Sequence, residues 1–424
     1  MPGPFDLAAK RRSPSQAAPG EYLARAEDLV SRPPLAELLG WFARRRQWID
    51  EQHLMLCRIP APTFQEAPRA EAMAALLASL GWTAKIDRAG NVVAHLPSTR
   101  PGPVVAVTAH LDTVLSPRRP EDVRLQESGM FLGPGVSDNG AGLAALAALA
   151  RAVSESPSAM DARQLLLVAN VCEEGEGNLS GMRYLCQQSP LAGQLHTLIV
   201  LDGPDIHHVT AQALACRRFE ITVTGPGGHS WSDRGMANPV HALARAIAWF
   251  CEECAAAPPE AASSWNFGVV EGGATVNAIP SSARVKVDLR SQSGTTLDQL
   301  ASELASVVER AVRFENEQAR LGRISSRLRE TGARPGGELP AGSPLLAALR
   351  SVDAHLGIRA EPDCASTDAN IPLSMGLPAV SIGAGGAGGG AHTPNEWYSP
   401  EGRELGLRRI ALLAALVLES LPRP

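Results

Sequence analysis

Apolar runs of the kind that form buried strands alternate with helical segments through this chain, and acids or histidines stand just past the ends of those runs. The clearest are "VVAVTAHLDTVLSP" (Val104 to Pro117), "QLLLVANVCEEG" (Gln164 to Gly175) and "HTLIVLDGP" (His196 to Pro204). Between them lie an Ala/Leu helix, "NGAGLAALAALARAVSES", and a shorter one, "SGMRYLCQQ". Strands alternating with helices predict a mixed or parallel α/β sheet. Sheets of that kind place their sites beyond the carboxyl ends of the strands. Residues i and i+2 of a strand share a face, so His110 and Asp112 are expected to point the same way.

The pattern changes near Cys216. "RRFEITVTGPGG" alternates as a strand, "NPVHALARAIAWFCEEC" is an amphipathic helix with an Asn-Pro start, and "WNFGVVEGGATVNAIPSSARVKVDLRSQ" holds two strands around a turn. "TLDQLASELASVVERAVRF" completes a β-α-β-β-α order, after which the chain returns to its first style. The expected fold class is α/β: a discontinuous catalytic domain with a mixed sheet flanked by helices, carrying an inserted α+β domain. The expected boundaries are a flexible tail over 1–34, a first part of the α/β domain over 35–215, the insert over 216–330 and a second part over 331–424. "LAELLGWFARRRQWIDEQHLMLCRI" is expected as one helix.

Composition narrows the function classes. With 45% hydrophobic and 20% charged residues, 424 residues suit a soluble protein of two or three domains. A net charge of −5 gives no nucleic-acid-binding signature, and the clusters "KRR" and "ARRR" read as solvated faces. No apolar stretch is long enough to span a bilayer, and the first residues lack a signal-peptide pattern. Seven scattered cysteines argue against a disulfide framework, and "CEEC" lacks the second pair a zinc knuckle needs. A cytoplasmic location is the expectation.

Five places carry chemistry: His110 with Asp112, Asp138 in "GPGVSDNGAG", Glu173 with Glu174, Asp202, and His392 in "GGGAHTPNE". Each has a structural alternative when taken alone, such as a hydrogen-bonded pair at a strand end or, for Asp138, a helix N-cap. Adjacent carboxylates after a buried strand repel unless a cation is near or one is protonated. As an ordered set, two histidines and several carboxylates match the ligand mix that suits Zn²⁺, Co²⁺ or Mn²⁺. Neither a phosphate loop nor a nucleophile elbow is present, which leaves metal-assisted hydrolysis.

The chain resembles the M20 metallopeptidases, the family of peptidase T, aminoacylases and several deacylases and carboxypeptidases. The matching segments run in order from "TAHLDTV" through "GPGVSDNGAG", "CEEGEGNLSG", "VLDGP", "TGPGGHSWSD", "GGATVNAIP" and "STDANI" to "AHTPNE". The resemblance implies a two-metal centre, with His110 and Asp202 on one ion, Glu174 and His392 on the other and Asp138 bridging. It implies Asp112 as the residue orienting His110 and Glu173 as the general base on a bridging water. It also implies a cis peptide at Asp138-Asn139, and an insert that is ferredoxin-like and mediates a homodimer across which His229 reaches. Asn277, Arg290 and Thr367 match positions that face substrate. Asp at position 202 and the "TDANIPLSMGLPAVSIGAGG" segment look most like the peptidase T branch. An aminopeptidase acting on short peptides is therefore expected, with an N-acyl amino acid amidohydrolase as the main alternative and a non-catalytic binding protein as a remote one.

Overall fold

The computed structural model describes residues 19–99, 101–256 and 262–421. A nine-stranded mixed sheet forms its centre. Strands Val104–His110, Leu165–Asn170, Leu195–Leu201 and Ala379–Ile382 pair in parallel at its middle. Three of the four are buried at every residue, as expected for strands covered on both faces. The hairpin Thr83–Ile86 and Val92–His95 extends one side antiparallel, and His208–Ala213 extends the other. Because the four central strands run the same way, all of their carboxyl ends open on one edge.

Helix Gly140–Glu155 is buried over most of its length, which its Ala/Leu sequence permits. A Cβ on Gly140 would stand 2.3 Å from Cys57 Sγ, so the start of this helix packs closely only as glycine. Helix Arg403–Glu419 packs beside it on the same strand, Val104–His110, with Leu412, Leu413 and Leu416 fully buried. Its Arg409 is held by Asp353 through two hydrogen bonds of 2.7 Å.

A separate four-stranded antiparallel sheet is built in the order Ser263–Gly272, Ser282–Ser291, Ala215–Thr224, Ser325–Arg334. Helices Pro239–Ala256 and Gly294–Gln318 cover one of its faces, and Phe219, Ile221, Val223, Val285, Val287 and Leu289 form a core there distinct from the main one. This is an inserted α+β unit. Its last strand continues past the expected limit at residue 330, because Ala333 and Arg334 still pair with Arg217 and Cys216.

Two expectations are corrected. Part of the proposed tail is a helix, Pro19–Ser31, because Tyr22, Ala26 and Leu29 recur at helical spacing and are buried; residues 1–18 lie outside the described residues. The single helix expected after it is two, Pro33–Arg44 and Arg46–Cys57, since Arg45 leaves the helical region at φ −110°, ψ 21°. The break lets both halves bury their apolar residues, Leu35, Leu38 and Phe42 in one, Ile49 and Leu56 in the other.

Candidate metal centre

His110 is the last residue of its strand, Asp202 follows the next strand over, and Glu173 and Glu174 follow the strand on the other side. His392 arrives from the glycine-rich loop after Ala379–Ile382. That loop packs tightly: a Cβ on Gly383 would stand 2.0 Å from the carbonyl oxygen of Pro204, beside Asp202. Asp138 precedes helix Gly140–Glu155 but does not cap it. Asn139 does, accepting from the Gly142 N–H at 3.1 Å, and the Asp138-Asn139 peptide is cis.

These side chains converge. His110 Nε2 lies 3.0 Å from Asp138 Oδ1 and 3.8 Å from Asp202 Oδ1. His392 Nε2 lies 3.1 Å from Asp138 Oδ2 and 2.9 Å from Glu174 Oε1. Asp138 thus stands between two His–carboxylate sets, and each set keeps its ligand atoms within 4.8 Å of one another. The electrostatics match a cation site. Hydrogen bonds to Asp138 and Glu174 push His392 up to about 10. Burial works against a charged His110, yet the hydrogen bond to Asp138 and the nearby carboxylates of Asp112 and Asp202 carry its pKa well above the usual value. Carboxylates that favour positive charge this strongly around two imidazole nitrogens suit a pair of divalent ions, which would take the place of those protons.

Asp112 sits differently from expectation. His110 Nδ1 donates to the main-chain carbonyl of Asp112 at 3.0 Å, while the Asp112 carboxylate is 3.6 Å away. That donation leaves the Nε2 lone pair directed at the site. The Asp112 carboxylate instead accepts the N–H groups of Glu173 and Glu174, both at 2.9 Å, and the Thr63 hydroxyl at 2.9 Å. One buried carboxylate therefore ties the His110 strand end to the Glu173–Glu174 loop.

Three residues with no role assigned from sequence complete the frame. Glu396 is 2% exposed and accepts three N–H groups, from Gly135 at 2.7 Å and from Ser137 and Asp138 at 2.8 Å. It fixes the loop that presents Asp138. Arg334, also buried, pairs with Glu173 Oε1 at 2.8 Å and donates to the Glu173 carbonyl. Burial lifts the Glu173 carboxyl well above the usual range, against the pull of the Arg334 guanidinium. Arg69 is fully buried and donates to the Leu111 and Ile59 carbonyls, pinning the backbone between His110 and Asp112. Glu396 stands in "HTPNE", whose acid was the available signal; Arg334 and Arg69 had none.

A cavity of about 550 Å³ opens on this centre. Asp138, Glu173, Glu174, Asp202 and His392 line one side, and Arg218, Arg290, Arg334 and Thr367 are among its other walls. Arg290 and Arg218 share Asp288, at 2.6 and 3.0 Å. The Thr367 hydroxyl accepts the Ala369 N–H at 3.1 Å. His229 and Asn277 are not among the lining residues. They lie together on the insert, where His229 pairs with Ala278 and the Ser230 N–H donates to the Asn277 carbonyl. The His229 ring is exposed, and its Nδ1 accepts the N–H groups of Trp231 and Ser232 at 3.1 and 3.3 Å.

Comparison with known proteins agrees with this geometry. A probable carboxypeptidase of Aspergillus oryzae is 26% identical over 243 residues, 52% of this chain and 54% of that protein, so the chain spans about half the length of the curated relative it matches. Aminopeptidase PepT from Bacillus cereus superposes with a TM-score of 0.67 at 17% identity, covering 87% of this chain and 98% of that one. A dinuclear metal-binding peptidase of the M20 family from Bacillus subtilis gives 0.63 at 16%, covering 88% and 99%. The likeness to both solved structures is one of fold. The family model for Peptidase family M20/M25/M40 matches residues 106–419, from the His110 strand through His392 to the last helix, and the chain belongs to that family of hydrolases.

Proposed function

We propose that this protein is a two-metal amide hydrolase acting on short peptides, an aminopeptidase, with Glu173 as its general base. The observation that carries the proposal is Asp138 standing between His110 and His392, with Glu173 held beside them by Arg334. His110 and Asp202 would hold one ion, Glu174 and His392 the other, and Asp138 would be shared. Zn²⁺ is the ion we favour, with Co²⁺ or Mn²⁺ as substitutes. Bound there, the ions supply Lewis-acid polarisation of the scissile carbonyl and acidify the attacking water. Glu173 takes the proton from that water and passes it to the leaving amine. Arg334 keeps the Glu173 carboxylate facing the cavity, and Asp112 keeps both glutamates on one backbone turn.

The insert supplies the rest of the reading. Its sheet grips the catalytic loop through Lys286 on Glu176 at 2.7 Å, the Ala333 N–H on Asn178 at 3.1 Å and Arg218 on the Gly175 carbonyl. We assign it the contact of a homodimer. With both N–H donors at its Nδ1, His229 presents Nε2–H, and in a dimer that donor would serve the partner's site as an oxyanion ligand. A variant that breaks the dimer is expected to keep its metals and lose most activity; a fully active monomer would remove this part of the proposal.

One observation favours a second reading. Arg218, Arg290 and Arg334 line the cavity together, and guanidinium groups suit a free carboxylate on the substrate. An N-acyl amino acid amidohydrolase would use them directly. The deciding experiment offers the metal-loaded protein free-amine di- and tripeptides beside N-acetyl amino acids. Cleavage confined to free-amine substrates supports the aminopeptidase, and cleavage confined to N-acyl compounds replaces it with the amidohydrolase.

A further inference from the structure

A phenylalanine two residues past Pro62, which bridges to Thr113 next to the cavity residue Val114, holds a backbone conformation that suits glycine. Phe64 has φ 74°, in the left-handed region, where a bulky side chain is a genuine outlier. Its side chain is nevertheless 63% exposed, so burial does not offset the strain. The surrounding hydrogen bonds fix where it stands. Pro62 bridges in parallel to Thr113, whose N–H donates to the Ala61 carbonyl at 3.0 Å, and the Thr63 hydroxyl donates to Asp112 Oδ2 at 2.9 Å. Residues 61–64 therefore run beside residues 112–115.

The second segment brings two more exposed apolar side chains to the same place, Val114 at 44% and Leu115 at 36%. Val114 also lines the cavity, where among the described residues Ala365 is its only apolar companion. Val114 thus joins this pair of segments to the cavity. The pair is also rigidly linked to the reacting groups, since the Asp112 carboxylate that takes the Thr63 hydroxyl takes the Glu173 and Glu174 N–H groups as well.

We infer that Phe64, Val114 and Leu115 form a subsite for an apolar side chain on the residue beside the scissile amide. This rests on the proposed amide hydrolase and names its substrate class: short amides of leucine-like or aromatic residues rather than of serine-like or acidic ones. An apolar side chain leaving water against these three gains affinity, and a polar one gains none.

The test measures binding apart from turnover. Calorimetric titration of metal-loaded Glu173→Gln protein with leucyl-glycine and seryl-glycine, and with the matching N-acetyl amino acids, gives an affinity ratio in each ligand class. With Phe64 present the leucine compound is expected to bind about ten-fold tighter in at least one class. Adding Phe64→Gly, which relieves the φ constraint and so preserves folding, is expected to bring that ratio close to one, and Phe64→Leu to restore most of it. An unchanged ratio in Phe64→Gly overturns the inference, as does a lack of preference, or of binding by either compound, with Phe64 in place. A Phe64→Gly variant that alters oligomeric state by light scattering with its ratio intact would assign the patch to a second copy instead. Loss of turnover on Glu173→Gln in a separate rate assay tests the hydrolase reading, so the two failures are told apart.

Discussion

Replacing Arg334 with glutamine should move the acid limb of the pH–rate profile. The Arg334–Glu173 pair is 2.8 Å long, with side chains only 5% and 6% exposed. Removing one member of a buried pair leaves the other charge without compensation, at about 3–5 kcal/mol. Glu174 and Asp368 add to the upward pressure on the Glu173 carboxyl, so protonation is its route of relief. At 1.36 kcal/mol per pH unit, the full cost corresponds to a displacement of roughly 2–4 in pH. Water entering the space left by the guanidinium reduces that, and the limb is expected to move up by at least about one pH unit. The sign is fixed: a base with a higher pKa is active only at higher pH. On the acid side the variant should therefore lose about ten-fold in kcat/KM for each pH unit the limb moves, and recover toward alkaline pH. Arg334→Lys should fall between. The assay is kcat/KM against pH on the best substrate of the panel, with circular dichroism to confirm the fold. A folded Arg334→Gln protein with the wild-type acid limb would show that Arg334 does not govern the protonation of Glu173.

Two further substitutions probe the frame. Glu396→Ala strands three buried N–H donors on the Asp138 loop, and a loss of roughly 3 kcal/mol or more in denaturant unfolding, with metal affinity reduced ten-fold or more, is expected; wild-type metal affinity would contradict it. Asp205 and His208, 2.9 Å apart on the cavity side of the sheet, give a pH test of stability. The hydrogen bond to Asp205 raises His208. Burial opposes the charge on Asp205, but hydrogen bonds from His208 and the His207 N–H outweigh it and lower that carboxyl. The pair's contribution is thus complete between the ordinary carboxylate and histidine ranges, is lost as pH rises through the elevated His208 value, and is lost again as pH falls through the depressed Asp205 value. Asp205→Asn, which the φ of 64° tolerates, should flatten the upper of these losses in unfolding midpoints taken from about pH 5.5 to 8.5; an unaltered slope would contradict the assignment.

Most of the acids and histidines that converge were legible in the sequence because they stand at or just past the end of a run whose apolar character marks a buried strand. His110, Glu173, Glu174 and Asp202 needed only that rule and a parallel sheet to bring them to one edge. The groups holding them were not legible. Arg334 and Arg69 are charged residues in polar surroundings, which sequence reads as solvated, and only tertiary packing hides them. The partner of Arg334 is far away in the chain, and that of Glu396 is backbone, whose N–H groups leave no mark on composition. The i, i+2 spacing put Asp112 on the same face as His110, and the family resemblance implied that its side chain orients the ring. The structure gives that contact to the main-chain carbonyl and frees the carboxylate to brace the Glu173 loop. Helix Pro19–Ser31 was hidden by the Pro, Ser and charged residues around it, although Tyr22, Ala26 and Leu29 carry its period.

Metal content and turnover measured together on wild-type and Glu173→Gln protein test the two-metal hydrolysis itself. About two equivalents of metal are expected in both, with amide hydrolysis reduced at least about a thousand-fold only in the variant. Wild-type turnover in Glu173→Gln, or amide hydrolysis by protein that binds no stoichiometric metal, would contradict it.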